Sequence, residues 1–170
     1  MTLTRRPGLP AIEDVLAIPA SAREVAPASW EDINGHVTVP AYYGFHMEAA
    51  GRALEELGWD EDYLTRTGQS LFSVGQHVRY YDEALVGHEL SAHVRLLGRN
   101  ERVLHAISIV VNHTTGRIAN TLEFLEAHVD LTTRRTSPIT PQLAQRTDEL
   151  LATHRALPWT VPLNTGMGLR

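Results

Sequence analysis

The 170-residue sequence contains no cysteine and no lysine. Without cysteine the chain has no disulfide, no thiolate metal site and no cysteine nucleophile. All 15 basic residues are therefore arginine, a side chain that grips phosphate groups in a bidentate fashion. No apolar run approaches the ~20 residues that a membrane-spanning helix needs, so we expect no membrane partner.

The charge balance is negative, with a formal net charge of −5. Such a chain has no net positive field to gather phosphates, so nucleic acid is not an expected partner. The apolar stretch near the N-terminus is interrupted by Glu13 and Asp14, which is atypical of a signal peptide and predicts a cytoplasmic protein. The nine histidines lack the close spacing of zinc ligands, so we predict no metal. We also predict no cofactor.

We divide the chain into three segments. Residues 1–20 form an N-terminal extension, punctuated by Pro7, Pro10 and Pro19, with one helical turn around Ile12–Leu16. Residues 21–135 form the main domain. Residues 136–170 carry a helix at about Pro141–Arg155 and an extended tail.

The clearest element is a long helix that Pro40 opens, since proline suits the first turn of a helix. Its apolar residues recur at steps of three or four: Tyr42, Phe45, Ala49, Ala53 and Leu57. Several residues on the inward side are small, which predicts close packing against a sheet. Gly58 occupies the expected C-terminal cap, and a shorter helix is predicted at Glu61–Thr67.

The remaining segments have the period of strands. A short strand is predicted at Arg23–Ala28, and four longer ones at Ser70–Tyr81, Glu89–Leu97, Arg102–Asn112 and Thr115–Leu131. Short, turn-rich links predict an antiparallel meander. A long helix followed by such a sheet is α+β, and the economical packing wraps five strands around the helix. An edge strand would stay open, which predicts a two-fold dimer.

The most informative segment is Trp30-Glu31-Asp32-Ile33-Asn34-Gly35-His36-Val37. It resembles the Asp-x-x-Gly-His-Val motif of hotdog-fold acyl-CoA thioesterases of the 4-hydroxybenzoyl-CoA thioesterase class. Two later runs resemble strands of a subgroup that includes betainyl-CoA thioesterases: GQSLFSVGQHVRYYDEALVGHEL and TLEFLEAHVDLTTRR. The similarity extends from about Val25 to Arg135. It implies a hotdog fold, a homodimer or tetramer, and an acyl-CoA substrate that is hydrolysed to free acid and CoA.

The resemblance also implies roles for individual residues. Asp32 falls on the catalytic carboxylate, which acts as a nucleophile or as a general base for water. The backbone N–H of Val39, at the helix N-terminus, falls on the group that polarises the thioester oxygen. Asn34 and His36 flank the carboxylate, and His36 either orients it or bonds to the backbone. From the loop alone, Asp32 is equally explained as a turn former.

Other matching positions are candidates for binding. Glu123 matches an acidic residue of the family's last strand, and faces either the pocket or solvent. His77 matches a strand histidine, and Arg79 lies on a polar strand face. Arg134 and Arg135 follow the last strand and are candidates for the CoA phosphates. Each is alternatively an ordinary packed or surface residue.

One departure from the family concerns Gly75. The betainyl-type relatives tend to have Val-Glu-x-His where this chain has Val74-Gly75-Gln76-His77. We hypothesise that the missing carboxylate opens space near the acyl pocket. If that glutamate holds a cationic acyl group, this protein should not prefer betainyl-CoA.

Two other functions compete with thioester hydrolysis. Hotdog hydratases resemble Asp-x-Asn-x-x-His, and this chain has Asp32-x-Asn34-x-His36, one residue short. Dehydratases use a histidine with a helix carboxylate, a pattern that His46 and Glu48 do not reproduce. The third candidate is a non-catalytic dimer that binds acyl-CoA.

Overall fold

The computed structural model describes residues 8–169, so Pro7 of the predicted extension lies outside the described residues. The elements in chain order are α1 (Ile12–Leu16), β1 (Ala22–Val25), α2 (Val39–Leu57), α3 (Glu61–Thr67), β2 (Gln69–Tyr80), β3 (Glu89–Arg99), β4 (Val103–Asn112), β5 (Arg117–Asp130), β6 (Arg135–Thr136) and α4 (Pro141–Arg155). The predicted bounds agree closely with these. The first strand is the exception: it ends at Val25, because Ala28–Trp30 already forms a 3-10 turn.

The strands form one antiparallel sheet in the order β1-β3-β4-β5-β2, with β6 beside β5. The predicted meander is correct for β3, β4 and β5 but wrong for β2. After Tyr80 the chain crosses to the far side of the sheet, and β2 pairs with β5 from Gln69↔Asp130 to Tyr80↔Asn120. The link over residues 81–88 is too long for a hairpin and runs past the start of α2, where the Val37 N–H donates to the Ala84 carbonyl (2.9 Å).

Helix α2 lies in the curl of this sheet and supplies the main core. Its inward residues are buried against the inner face of the sheet: Tyr42, Phe45, His46, Ala49, Ala50 and Leu57. Facing strand residues include Ala92, Ala106, Val110, Leu122 and Phe124. The alanines let the helix approach the strands closely, as the sequence predicted. The hotdog arrangement of a curled sheet around one long helix is thereby confirmed.

The outer face of the sheet is covered by the two ends of the described chain. Val15 of α1 and Ile18 just after it, with Trp159 and Val161 from the tail, pack against Ile107 and neighbouring strand residues. The guanidinium of Arg95 donates to the carbonyls of Trp159 (2.7 Å) and His154 (2.9 Å) and lies over the Trp159 ring. Both ends therefore pack on the same sheet as the central segment. Between residues 8 and 169, no helix is long and apolar enough to cross a membrane.

Candidate active site

Asp32 lies in a tight turn just before α2. Its Oδ1 accepts the N–H groups of Asn34 (2.8 Å) and His36 (3.1 Å), and its Oδ2 accepts the Asn34 amide (3.3 Å). The turn needs Gly35, whose φ of 80° favours glycine. The hydrogen bond from the His36 backbone, followed by that from the Asn34 backbone, lowers the pKa of Asp32. The carboxylate is therefore ionised and held in one orientation while it also serves as the turn former.

The ring of His36 points to another group. Its Nε2 lies 2.9 Å from Oε2 of Glu83, in the segment after β2. His36 contacts Asp32 through its backbone N–H, which donates to Oδ1. Its ring instead connects the turn to the segment after β2 through Glu83. Of the two predicted possibilities, the contacts favour a positioning role through the backbone.

The start of α2 leaves one amide free. Thr38 caps the helix, and its hydroxyl accepts the Ala41 N–H (3.3 Å) while its carbonyl accepts the Tyr42 N–H (3.1 Å). Pro40 has no N–H to offer. Among the described residues the N–H of Val39 has no acceptor. A single amide with the favourable dipole of a helix N-terminus is thus available to a ligand.

Asp32 and Val39 open onto the same cleft, which has a volume of about 440 Å³. Its lining comes from the Asp32 turn, the start of α2 and the segment after β2: Asp32, His36, Val37, Val39, Tyr42, Tyr80, Tyr81, Asp82, Glu83 and Ala84. The rings of Tyr42 and Tyr80 meet edge to face, with centroids 5.8 Å apart. Three tyrosines and three carboxylates therefore give the cleft aromatic and acidic walls.

Tyr42 is a cleft residue that the sequence showed only as part of the helix core. It is 4% exposed, and its hydroxyl has no hydrogen-bond partner among the described residues. Burial raises its pKa to about 12, so the hydroxyl keeps its proton. The signal that could have revealed it is a tyrosine at an inward position one turn after the helix start.

Glu123 does not lie in this cleft. Its cross-strand partner is Ile107, which belongs to the outer core, so Glu123 points to the outer face of the sheet. There it accepts a hydrogen bond from His105 Nε2 (2.8 Å) and another from the Asn164 backbone N–H (2.7 Å). Neither predicted position, pocket or solvent, matches this buried pair.

The predicted substrate-binding residues are also away from the cleft of their own chain. His77 pairs with Glu123 and Arg79 with Thr121, which places both on the outer face. Arg134 lies in the exposed turn after β5 and Arg135 begins β6, and both are exposed at the Gln69 end of β2. The cleft is at the Tyr80 end, roughly 35 Å away along the strand at ~3.3 Å per residue.

The position of Gly75 removes the basis of the hypothesis that it opens the acyl pocket. A Cβ atom at Gly75 would meet Leu125 at 3.5 Å and Met167 of the C-terminal tail at 3.6 Å. Gly75 therefore lies beneath the tail, and the missing side chain leaves room for Met167. Within this chain no carboxylate has been lost from the cleft.

His46 and Glu48 do not form an acid–base pair. The ring of His46 is fully buried between Ser108 (2.8 Å) and Asn120 (3.1 Å), and burial lowers its pKa to about 4. Glu48 points outward and pairs with Arg52 (2.6 Å). The helix therefore lacks the arrangement that a dehydratase of this fold uses.

Comparison with known families agrees with this geometry. The model of the family described as "Thioesterase-like superfamily" matches residues 26–147, which include the Asp32 turn, α2 and all of the long strands. The chain belongs to this superfamily. The thioesterase-like resemblance predicted from the Asp32 motif is confirmed.

Individual proteins of known sequence or structure are also similar to this chain. A Rhizobium L-carnitine dehydrogenase/betainyl-CoA thioesterase is 32% identical over 61% of this chain, which spans 20% of that protein's length. A Pseudomonas aeruginosa betainyl-CoA thioesterase is 28% identical over 81% of this chain and 85% of its own. A Staphylococcus aureus protein solved in complex with CoA superposes with a TM-score of 0.77 at 15% identity, covering 90% of this chain and 94% of that one. The last likeness supports the fold of this thioesterase-like chain.

Proposed function

We propose that the protein hydrolyses an acyl-CoA thioester to the free acid and CoA. One observation carries the proposal: an ionised, immobilised carboxylate and the one free amide of a helix N-terminus open onto the same cleft. Thioester hydrolysis requires a nucleophile or base beside the acyl carbon and a donor for the oxygen that becomes negative. Asp32 supplies the first group and Val39 the second. The thioesterase names of the relatives support the same reaction.

The pKa of Asp32 bears on how it acts. A carboxylate whose pKa is lowered by hydrogen bonds to backbone amides is a weak base but stays ionised at any physiological pH. Direct attack on the acyl carbon and activation of a water molecule both need this ionised form. Oδ2 carries one long hydrogen bond (3.3 Å) and is the oxygen that we assign to the reaction.

The walls of the cleft suit a compact, positively charged acyl group. Aromatic faces attract quaternary ammonium groups. The carboxylates of Asp82 and Glu83 add negative charge, although Asp82 also pairs with Arg117 (3.5 Å). The betainyl group named for the relatives has this chemistry. Since Gly75 lies outside the cleft, its lack of a side chain gives no reason to exclude such a substrate.

We propose that the active form is a homodimer. Strand β2 ends the sheet, so one side of this 12-residue strand has no partner among residues 8–169. Phe72 and Val74 on it are 43% and 60% exposed. Long apolar edges of this kind are normally paired or covered, and a two-fold axis would pair two copies of β2 in antiparallel fashion.

Such pairing would also give Arg134 and Arg135 access to a substrate. It sets the Gln69 end of one β2 against the Tyr80 end of the other. The turn after β5 that carries Arg134 then approaches the cleft of the partner protomer, where the phosphates of CoA would extend. The turn is rigid, because Oδ1 of Asp130 accepts the N–H groups of Thr132 (2.9 Å) and Thr133 (2.7 Å). A tetramer, the cytoplasmic location and the lack of metal and cofactor stay predictions.

The test is release of free CoA thiol by the wild type and by Asp32→Asn across short, medium, aromatic and betainyl CoA esters. Asparagine keeps the Oδ1 acceptor of the turn but is neither a base nor a carboxylate nucleophile. We expect turnover by the wild type and a loss of at least ~100-fold in the variant. Asp62→Asn, an exposed change on α3 away from the cleft, is the matched control and should keep full activity.

Other results would redirect the assignment. An inert wild type that is thermally stabilised by CoA esters would establish the non-catalytic binding dimer. Loss of a crotonyl-CoA double bond without thiol release would establish a hydratase. Equal activity of the wild type and Asp32→Asn would refute the role of Asp32.

A further inference from the structure

The helix N-terminus supplies fewer donors than an oxyanion usually receives. Pro40 offers no N–H, and the N–H groups of Ala41 and Tyr42 are already bonded to Thr38. Judged by the contacts of the described residues, Val39 is thus the one free backbone donor in the first turn of α2. Acyl-transfer sites commonly aim two donors at the developing negative charge. A second donor would then be a side chain that lines the cleft.

Tyr42 is positioned to be that donor. It follows Val39 by three residues, so both lie on the same face of α2. Side chains of a helix point back toward its N-terminus, which directs the Tyr42 ring over the turn that holds Val39. The hydroxyl lies near the backbone of Ala84, whose carbonyl accepts the N–H of Val37. The hydroxyl is therefore beside the segment that bonds to Val37, two residues before the free amide.

The Tyr42 hydroxyl also lacks a hydrogen-bond partner among the described residues. It is buried, which raises its pKa, while the nearby Ala84 backbone lowers that pKa. A buried donor without an acceptor lowers the stability of a fold. By contrast, the hydroxyl of the neighbouring Tyr43 donates to Gln76 (2.8 Å). A thioester oxygen bound in the cleft would give the Tyr42 hydroxyl the hydrogen-bond acceptor that it lacks among the described residues.

We propose that the Tyr42 hydroxyl is the second oxyanion donor, beside the Val39 N–H, in the thioester hydrolysis proposed above. The nucleophile, either Asp32 or a water that it deprotonates, bonds to the acyl carbon. The carbonyl π electrons move to the oxygen, which accepts hydrogen bonds from Val39 and Tyr42. The carbonyl then re-forms as the C–S bond breaks, and the CoA thiolate leaves and takes up a proton. If Asp32 is the nucleophile, water then hydrolyses the acyl–aspartyl anhydride, which releases the free acid and restores the carboxylate. The inference rests on the proposed function.

The experiment compares Tyr42→Phe and Tyr43→Phe with the wild type in kcat, KM and melting temperature. Tyr42→Phe should lower kcat by ~100- to 1,000-fold, because one donor to the oxyanion is lost. Its KM should change by less than about threefold, because the bond strengthens in the transition state. Its melting temperature should be equal or higher, because the unpaired hydroxyl is gone. Tyr43→Phe should leave kcat unchanged.

Binding separates this role from packing. A thioether analogue of the substrate, which has no carbonyl to become an oxyanion, should bind the wild type and Tyr42→Phe with the same Kd. Wild-type kcat in Tyr42→Phe, or a fall in kcat that accompanies a lower melting temperature and a weaker Kd, would overturn the inference and leave the proposed function standing. A wild type that releases no thiol from any ester would overturn both.

Discussion

His105 and Glu123 form a buried pair on the outer face of the sheet, with Nε2 of His105 2.8 Å from Oε1 of Glu123. The pair joins β4 to β5, and the second carboxylate oxygen of Glu123 holds the tail through the backbone of Asn164. The family resemblance made Glu123 a catalytic candidate. Its contacts instead make it an anchor for the residues that cover the outer face.

Glu123→Gln should therefore lower stability and spare catalysis. The neutral amide weakens the buried pair and the bond to Asn164, at a cost of about 2 kcal/mol in the free energy of unfolding. We expect kcat within about twofold of the wild type at a temperature where both are folded. Urea denaturation and thiol release measure the two effects. Glu56→Gln, an exposed change on α2, is the control, and a selective loss of kcat in Glu123→Gln would restore the catalytic role.

Substitutions at Gly75 test why this chain departs from its relatives. Gly75→Ala adds a methyl group at ordinary van der Waals distances and should change the melting temperature by no more than about 2 °C. Gly75→Glu pushes against Met167 and places a carboxylate under the tail, so it should lower stability by about 1–3 kcal/mol. Neither change should alter the preference among CoA esters. A gain of betainyl-CoA turnover in Gly75→Glu would show that position 75 does reach the acyl group.

The buried His46 should make stability depend on pH. Its folded pKa of about 4 lies below the ordinary 6.5, so the unfolded chain binds the proton more tightly. Stability is therefore complete above pH 6.5 and is lost as the pH falls toward 4, by on the order of 3 kcal/mol. His93 and His154, whose pKa values burial also lowers, add to the same trend.

Urea midpoints between pH 7.5 and 4.5 measure this effect. His46→Gln removes the titrating ring but keeps a polar side chain toward Ser108 and Asn120. The variant should be less stable at pH 7.5 and should lose less of its remaining stability on acidification. Parallel pH profiles for the two proteins would assign the acid sensitivity to other groups.

The free edge of β2 should be the dimer contact. Val74→Glu places a charge at the middle of that edge, where the two-fold axis would bring it against its own copy, so sedimentation should show monomers. Val25→Glu is the matched control, since Val25 is 54% exposed on β1, the opposite edge. The control should sediment as the wild type does. Monomers from Val25→Glu rather than Val74→Glu would move the contact to β1.

Much of the fold follows from local patterns. The helical period from Tyr42 to Leu57, the cap at Gly58 and the alternation along Glu89–Leu97 each depend on neighbouring residues alone, and α2, α4 and the long strands agree with them. The position of β2 does not follow in this way. Its choice of β5 over β3 depends on where the segment over residues 81–88 crosses α2, which no local pattern records.

Some features of the candidate site likewise follow from local sequence, and others depend on packing between distant segments. The Asp32 turn is local: the carboxylate, the amides that bind it and the glycine that shapes it lie within five residues, so the motif indicates it directly. The free amide of Val39 also follows from its neighbours, because Thr38 and Pro40 account for the other donors of the turn. Both features can therefore be predicted from the sequence alone.

The tertiary structure alone decided which distant residues join them. Whether Glu123 faces the helix or the tail depends on the register of β5 against β4, and a shift of one residue would reverse it. Tyr42 becomes a cleft residue because the chain after β2 closes over it at Ala84. The lack of a side chain at Gly75 leaves room for Met167, which lies 92 positions later in the chain. Spacing along the sequence determines the chemistry of a turn, but only packing across the sheet determines which side chains share a cavity.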